Sequence, residues 1–182
     1  MSWTVKGSRY VHRDPWVALR ADDCVTARGV PISPYYVLDY PDFVHALAID
    51  EAGFVILVRQ YRHGLGEMSL ELPGGVMDTG DADPCAAAAR ELREETGYAG
   101  GAYRHIAALS TDPAKMSNRL HLVLAEGVER VGEPRPDAAE DLAIERVPCA
   151  EAIRLATSGG IVHAGHIALL LLGLRAAGRI AL

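Results

Sequence analysis

Three glutamates lie close together in residues 90–98, which read RELREETGY. Glu91, Glu94 and Glu95 are spaced so that a helix would bring their carboxylates to one face. Like charges this close would destabilise the helix unless a cation lies between them. Oxygen ligands without a nearby cysteine or histidine pair favour a hard ion, so the pattern predicts a site for Mg²⁺ or Mn²⁺. The alternative is a solvated helix face on which neighbouring arginines pair with the glutamates.

The preceding residues predict the helix that would carry these glutamates. Residues 71–84, ELPGGVMDTGDADP, change from a short apolar run to a loop rich in glycine and aspartate. Asp83 can cap the first amides of a helix, Pro84 fits its first turn and Gly97 is a suitable stop, which predicts a helix over 84–96. A separate apolar to neutral stripe would leave the glutamates facing a cleft. This stripe consists of Cys85, Ala89, Leu92 and Thr96.

These residues resemble the Nudix box, G-x5-E-x7-R-E-U-x-E-E-x-G-U, in which U is a bulky apolar residue. The second half matches at every fixed position when Tyr98 is counted as the final bulky residue. In the first half, counting forward from Gly75 puts Asp81 at the first glutamate, whereas counting back from Arg90 puts an alanine there. In the family this glutamate supports the loop through the box arginine. The resemblance therefore implies that Asp81 or Asp83 pairs with Arg90.

The same resemblance implies a set of metal ligands and a catalytic base. The implied ligands of Mg²⁺ are the Gly74 carbonyl and the carboxylates of Glu91, Glu94 and Glu95. The family often places a further catalytic glutamate on a loop after the box, and Glu140 occupies a similar place in this chain. Glu133 is the competing residue, and a solvated loop without a catalytic role is the third interpretation.

Arginines outside the helix indicate a phosphorylated substrate. Arg59 and Arg62 lie at the end of a predicted strand. Their planar guanidinium groups are suited to forked hydrogen bonds with phosphate oxygens. Ordinary surface pairing is the alternative for either arginine taken alone.

Two short segments narrow the resemblance to one branch of the family. Residues 60–62 and 71–75, QYR and ELPGG, resemble the corresponding region of ADP-ribose pyrophosphatases and related nucleoside diphosphate sugar hydrolases. Pro113 lies fifteen residues after the end of the box, near a spacing associated with the same branch. The substrate-binding residues implied by this resemblance are Arg59, Arg62, Glu71, Pro113 and Arg119.

The expected activity is Mg²⁺-dependent hydrolysis of the diphosphate bond of ADP-ribose or another nucleoside diphosphate sugar. The products would be a nucleoside monophosphate and a sugar phosphate. A nucleoside triphosphate or dinucleoside polyphosphate pyrophosphatase of the same fold is one alternative, since fold alone does not separate these activities. A non-catalytic sensor of ADP-ribose-type ligands is another.

Composition agrees with a compact enzyme. The chain has 182 residues, 49% of them apolar, which is enough for a substantial core. Its net charge of -6 argues against general binding to nucleic acid or anionic membranes. The longest apolar run, residues 167–174, is far shorter than a membrane span. Three separated cysteines without a C-x-x-C pattern favour a reducing cytoplasm over a disulfide framework or a thiolate metal site.

Alternating apolar segments and turn residues predict the order of elements. The predicted strands are 3–10, 17–25, 35–40, 43–49, 54–60, 69–72, 103–109, 120–125 and 141–147. The predicted helices are 84–96, 148–157 and 163–177, and residues 127–139 are expected to be irregular. This order is typical of a mixed sheet with helices on its faces. The resemblance sharpens it to a Nudix-type α/β/α sandwich preceded by a small N-terminal antiparallel strand region.

The chain is accordingly expected to divide into residues 1–41, the strand region, and residues 42–182, the hydrolase domain. The branch commonly dimerises through such an N-terminal region, so a homodimer is expected. The apolar stripe of the final helix is expected to pack in the core. The seven histidines show no metal-binding spacing and are expected to be structural or exposed. His63, next to the arginines, is the one with a candidate role in the site.

Overall fold

The computed structural model describes residues 2–137 and 140–181. Ala138 and Ala139, the end of the predicted irregular stretch, lie outside these ranges. The chain forms two compact units. The first comprises Met1–Asp42 with Ser110–Arg119, and the second comprises Phe43–Leu109 with Leu120–Leu182. The sequence did not predict that the later segment belongs with the first unit.

The first unit contains a three-stranded antiparallel sheet. Its strands, in order across the sheet, are β1 (Thr4–Arg13), β2 (Ala18–Val25) and β3 (Pro31–Leu38). β3 begins at Pro31, before the predicted start at residue 35. Proline lacks an N–H donor, and an outer strand of a sheet tolerates it because that donor is not needed there. The later segment is attached to β3, since the Leu38 N–H donates to the Lys115 carbonyl at 2.7 Å.

The second unit is a mixed sheet with three helices among its described residues. The strands are β4 (Phe43–Asp50), β5 (Phe54–Arg62), β6 (Glu67–Glu71), β7 (Gly74–Val76), β8 (Tyr98–Ala99), β9 (Ala102–Leu109), β10 (Leu120–Arg130) and β11 (Leu142–Pro148). The helices are α1 (Pro84–Thr96), α2 (Cys149–Ser158) and α3 (Ala164–Ala176). The central strand order is β11-β5-β4-β10-β8, with β6 paired to β5, β7 to β4 and β9 to β10. β4 and β10 run parallel.

The helices cover both faces of this sheet. Successive side chains of a strand point to opposite faces, and the central strand β4 shows the consequence. Ala46 packs in the core beneath α1, together with Leu92 of that helix. Leu47 packs in the other core, together with Leu170 and Leu174 of α3. The predicted α/β/α sandwich with a mixed sheet is confirmed, as is the core position of the α3 leucines.

Three details of the sheet differ from the prediction. The expected irregular stretch from residue 127 starts too early, because β10 continues to Arg130. Glu129 and Arg130 pair with Ala99 and Tyr98 of β8 and so extend the strand. β7 and β8 were not predicted, since elements of three and two residues are too short to show an alternating pattern. None of the described helices is long and apolar enough to cross a membrane.

Candidate active site

α1 has the bounds and the ends that the sequence predicts. Asp83 accepts a hydrogen bond from the Ala86 N–H at 2.9 Å and so caps the first turn. Gly97 adopts a left-handed conformation, φ 71°, and its N–H donates to the Arg93 carbonyl. The helix therefore begins and ends at fixed positions, which sets the direction of its glutamates.

The three glutamates of α1 are buried to different degrees. Glu95 is 3% exposed, whereas the side chains of Glu91 and Glu94 are 13% and 48% exposed. Glu95 is therefore almost fully enclosed, whereas Glu94 is open to solvent. Helical spacing places Glu95 on the buried face of α1 together with Ala88 and Leu92. The three acids thus lie at increasing exposure, from buried Glu95 through Glu91 to Glu94 at the surface.

Glu95 ties α1 to the loop that precedes it. Its Oε2 accepts a hydrogen bond from the Gly74 N–H at 2.9 Å. Burial raises the pKa of Glu95 to about 8, and the charges of Glu91 and Glu140 act in the same direction. Burial is also the main cause that raises the pKa of Glu91. Both carboxylates would therefore gain from a cation beside them.

Two glycines allow the loop to approach β4 and α1 closely. Gly74 has φ 154°, and a Cβ there would lie 2.1 Å from the Val44 carbonyl oxygen. A Cβ on Gly75 would lie 2.8 Å from Oε1 of Glu91. A larger residue at Gly74 would push the loop away from β4, and one at Gly75 would displace the Glu91 carboxylate.

Arg90 joins the loop to the exposed end of the acidic cluster. Its guanidinium donates to both carboxylate oxygens of Asp81, at 3.2 and 3.0 Å. Its Nη1 also donates to Glu91 at 2.8 Å and to Glu94 at 3.1 Å. Of the two aspartates that could replace the missing box glutamate, the structure brings Asp81 to Arg90, while Asp83 caps the helix. Asp81 also accepts from the Asp78 N–H at 2.8 Å and so holds the loop together.

The donor set fits a hard divalent ion in type, although the side chains are not gathered around one. In the described part of the chain, no three histidine, cysteine, aspartate or glutamate side chains are arranged to enclose a metal. Arg90 contributes to this by holding Glu91 and Glu94, and Gly74 holds Glu95. Carboxylate and carbonyl oxygens are the ligands that Mg²⁺ prefers. Burial raises the pKa of Glu91 and Glu95, and a cation beside them would favour their ionised forms.

Arg62, whose side chain is 46% exposed, pairs with the buried Glu71 beside the glutamates. Both oxygens of Glu71 accept hydrogen bonds from Arg62, and the Nε contact is 2.9 Å long. Burial opposes ionisation of Glu71, which is 1% exposed, but the hydrogen bonds from Arg62 act in the opposite direction and the pKa of Glu71 is lowered. The hydrogen bonds with Glu71, aided by the charges of Glu95 and Glu140, raise the pKa of Arg62. Glu71 thus lies behind Arg62 rather than on the surface.

Arg59 lies apart from Arg62. It is on the opposite face of β5, because the two positions are an odd number of residues, three, apart along the strand. Its Nε donates to Glu145 of β11. The structure therefore brings Arg62, but not Arg59, to the acidic cluster.

Glu140 lies within electrostatic range of the cluster. Its charge raises the pKa of both Glu91 and Glu95. Its carboxylate accepts a hydrogen bond from the Asp137 N–H at 2.9 Å, and the side chain is exposed. Glu133, the competing residue, is also exposed and pairs with Arg130 at 2.9 Å.

Pro113 and Arg119 belong to the first unit, in its segment Ser110–Arg119. Both are exposed. The Arg119 N–H donates to Asp42 at 2.8 Å, which fixes the backbone there and leaves the guanidinium at the surface.

Sequence reasoning missed two buried histidines next to the catalytic loop. His45 is 8% exposed and His166 is 2% exposed, and they lie on β4 and α3. His63, the histidine singled out from the sequence, is exposed and lies near the ring of Tyr61. The sequence did contain a signal for His166. A histidine in a helix as apolar as α3 is either buried with a partner or functional.

Comparisons with known proteins agree with this arrangement. A model of the NUDIX domain matches residues 39–170, and a model of the nucleoside diphosphate sugar hydrolase N-terminal domain matches residues 3–38. The ADP-ribose pyrophosphatase of Mycobacterium tuberculosis is 35% identical over 162 residues, covering 88% of this chain and 78% of that protein. A CMP-5'-(N-acetyl-N-hydroxy-3-aminopropyl)phosphonate hydrolase of Streptomyces rubellomurinus is 29% identical, covering 91% and 79%.

A solved structure with the same architecture carries the description ADP compounds hydrolase. It superimposes with a TM-score of 0.84 at 25% identity and covers 99% of this chain and 98% of its own. The chain therefore belongs to the Nudix family and is a pyrophosphohydrolase.

Proposed function

We propose that this enzyme hydrolyses the diphosphate bond of ADP-ribose or another nucleoside diphosphate sugar and depends on Mg²⁺ for this. The observation that carries the proposal is the position of Arg62, anchored by buried Glu71 and within electrostatic range of Glu95. An anchored arginine beside a group of acids suits a substrate that is anionic and brings or meets a cation. The names of the relative and of the solved structure support an ADP-linked substrate.

The residues that would hold the cation are Gly74, through its carbonyl, and Glu91, Glu94 and Glu95. Nudix hydrolases generally need a divalent metal, and this oxygen set favours Mg²⁺, with Mn²⁺ as the alternative. When bound, the metal would neutralise the diphosphate oxygens and make a water more acidic. Arg90 would release Glu91 and Glu94 as the metal binds and would keep its two contacts with Asp81.

The protein's own groups account for orientation and proton transfer. Arg62 retains N–H donors beyond those bound to Glu71 and would hold a phosphate oxygen of the substrate. A water would attack one phosphorus, the bridging P–O bond would break, and Glu140 would accept the proton released from the water. The products are a nucleoside monophosphate and a sugar phosphate. Developing charge on the departing phosphate would be stabilised by Arg62.

The substrate is tested by measuring product release from a panel of compounds in Mg²⁺. The panel contains ADP-ribose, ADP-glucose, GDP-mannose, a CMP-linked compound, a dinucleoside polyphosphate and the deoxynucleoside triphosphates. Turnover confined to the diphosphate sugars would support the proposal and would show which nucleobase and sugar the enzyme prefers. Preferred turnover of triphosphates would contradict it, and binding of ADP-ribose without turnover would favour a sensor.

We further propose that the chain is a homodimer that associates through the first unit. Aromatic and aliphatic side chains of this unit are exposed, including Trp3 at 48%, Val5 at 56% and Trp16 at 84%. Apolar side chains exposed in one small unit are typical of a surface that is covered in solution. Light scattering during gel filtration should give twice the chain mass of 19.5 kDa. A monomer at micromolar concentration would contradict the proposal.

The cytoplasmic location expected from the sequence remains a prediction. The three cysteines are unpaired in the structure, as a reducing compartment would require.

A further inference from the structure

Three histidines form a cluster behind the loop that carries Gly74. His45 lies on β4, His166 lies in the first turn of α3, and His163 caps that helix by accepting from the His166 N–H at 3.3 Å. The ring of His166 stacks edge-on against both neighbours, with centroid distances of 4.4 Å in each case. The described side chains here are not arranged to enclose a metal, so the cluster requires another explanation.

His166 is hydrogen-bonded to the backbone of the segment that leads to the site. Its Nδ1 accepts a hydrogen bond from the Leu72 N–H at 2.9 Å, and the residue is 2% exposed. A nitrogen that accepts carries no proton, so the ring proton of neutral His166 lies on Nε2. Burial, with the charges of the nearby histidines, holds the pKa of His166 well below its usual range and keeps the ring neutral.

The protonated nitrogen faces the acid that anchors Arg62. Nε2 of His166 lies 3.9 Å from Oε2 of Glu71. This exceeds hydrogen-bond length, but an N–H dipole directed at a buried carboxylate is attractive in a medium of low polarity. His166 thus accepts a hydrogen bond from the Leu72 backbone through Nδ1, while its Nε2 lies near the Glu71 carboxylate.

His45 extends the contact to the implied metal ligand Gly74. His45 and Gly74 are paired residues in the β4–β7 ladder. The His45 ring also packs on His166. One residue of α3 therefore supports residues 71 to 74, which include both the anchor of Arg62 and the loop bound to Glu95.

We propose that His166 is a positioning residue for the hydrolysis: it holds Glu71, and through Glu71 it sets the direction of Arg62 toward the substrate phosphate. This inference rests on the proposed function. It assigns α3, on the face of the sheet opposite α1, a part in the reaction. His166 touches neither substrate nor metal, so its effect must pass through Glu71 and the backbone of Leu72.

The test compares His166→Leu, which fills the space but cannot accept, with His166→Asn, whose carbonyl oxygen can replace Nδ1. His105→Leu, at an exposed position of β9, is the matched control. With ADP-ribose and Mg²⁺, we expect His166→Leu to lower kcat/KM about ten- to hundredfold, the range for groups that support a site from behind. Most of the loss should be in KM, His166→Asn should recover part of it, and His105→Leu should match the parent.

A double-mutant cycle with Arg62→Lys identifies the route of the effect. If His166 acts through Arg62, His166→Leu should add much less loss to the Arg62→Lys protein than to the parent. Additive losses would overturn the inference, as would a folded His166→Leu protein with unchanged kinetic constants. A parent that hydrolyses no diphosphate sugar would contradict the proposed function and this inference together.

A measurement on the parent protein keeps the inference testable if the variants do not fold. Nitrogen-15 NMR of labelled histidine distinguishes the two neutral tautomers of each ring. The Nε2–H tautomer of His166 at pH 7 is the expected result. The Nδ1–H tautomer would overturn the inference, because Nδ1 could then not accept from Leu72.

Discussion

The carboxylate of Glu95 accepts a hydrogen bond of 2.9 Å from the backbone N–H of Gly74. The acid is 3% exposed, and the bond joins α1 to the loop that precedes it. A single buried carboxylate therefore both fixes the loop and supplies charge to the proposed metal site. The hydrogen bond stabilises the loop. Burial, however, disfavours the ionised form of Glu95 that a metal would require.

The contribution of Glu95 to the stability of the metal-free protein should fall as pH rises from about 4.5 to about 8. The pKa of Glu95 is raised from 4.5 to about 8 by burial, so the folded state binds a proton that the unfolded state has already lost in this range. The effect is roughly 1.4 kcal/mol for each unit of pKa difference. Denaturant titrations of the metal-free protein at several pH values measure it.

Glu95→Gln should flatten this dependence, since glutamine does not ionise and its side-chain oxygen can still accept from Gly74. The exposed Glu51→Gln variant is the control and should keep the parent's slope. Added Mg²⁺ should stabilise the parent more at pH 8 than at pH 6, and Glu95→Gln much less at either pH. An equal pH slope in Glu95→Gln and the parent would show that another group is responsible.

Gly75→Ala should impair the site while leaving the fold nearly intact. The added Cβ would lie 2.8 Å from Oε1 of Glu91, at the far end of a flexible side chain that can move away. We expect a small change in the free energy of unfolding and a loss of about ten- to hundredfold in Mg²⁺ affinity or turnover. Gly80→Ala is the control, because nothing lies within 4 Å of its added Cβ. Equal Mg²⁺ affinity and turnover in the two variants would show that the close approach of Gly75 to Glu91 is not needed for the site.

Asp81→Ala and Asp83→Ala should separate loop support from helix capping. Asp81 binds Arg90 and the Asp78 N–H, so its loss should lower both stability and kcat. Asp83 caps α1, so its loss should cost about 0.5 to 2 kcal/mol of stability with little specific effect on kcat. Thermal unfolding and steady-state kinetics measure both. If Asp83→Ala has the larger effect on kcat, Asp81 is not the substitute for the box glutamate.

Arg62→Lys should raise KM more than Arg59→Lys does. Lysine cannot reproduce the two hydrogen bonds that Arg62 forms with Glu71, so the phosphate-binding group would lose its fixed direction. Arg59 pairs with Glu145 on the other face of β5 and should tolerate the change within a few-fold. Steady-state kinetics with ADP-ribose provide the comparison. A larger KM for Arg59→Lys than for Arg62→Lys would indicate that the substrate binds on the face of β5 that carries Arg59.

Local signals in the sequence were sufficient for much of the fold. Asp83, Pro84 and Gly97 define α1 through short-range hydrogen bonds and backbone preferences, so its bounds could be predicted. The longer strands could be predicted because each is an apolar segment bounded by turn residues. β8 could not be predicted, because it exists only through its pairing with the far end of β10.

The candidate site was predictable in composition but not in arrangement. Residue spacing indicates that Glu91, Glu94 and Glu95 share a region of α1, but burial of Glu95 depends on how the helix packs on the sheet. The choice between Asp81 and Asp83 likewise depended on the path of the loop. His166 was missed because its contact with Leu72 joins residues 94 positions apart, and spacing within one segment carries no signal for it.

The most direct test of the account is the rate of AMP and ribose 5-phosphate formation from ADP-ribose in Mg²⁺ by the parent and by Glu94→Gln. Glu94 is the most exposed of the three acids, so this change should leave the fold intact. We expect the parent to form both products and Glu94→Gln, although folded, to form them orders of magnitude more slowly. Turnover by Glu94→Gln within a few-fold of the parent would contradict the assignment of the acidic cluster of α1 as the catalytic centre.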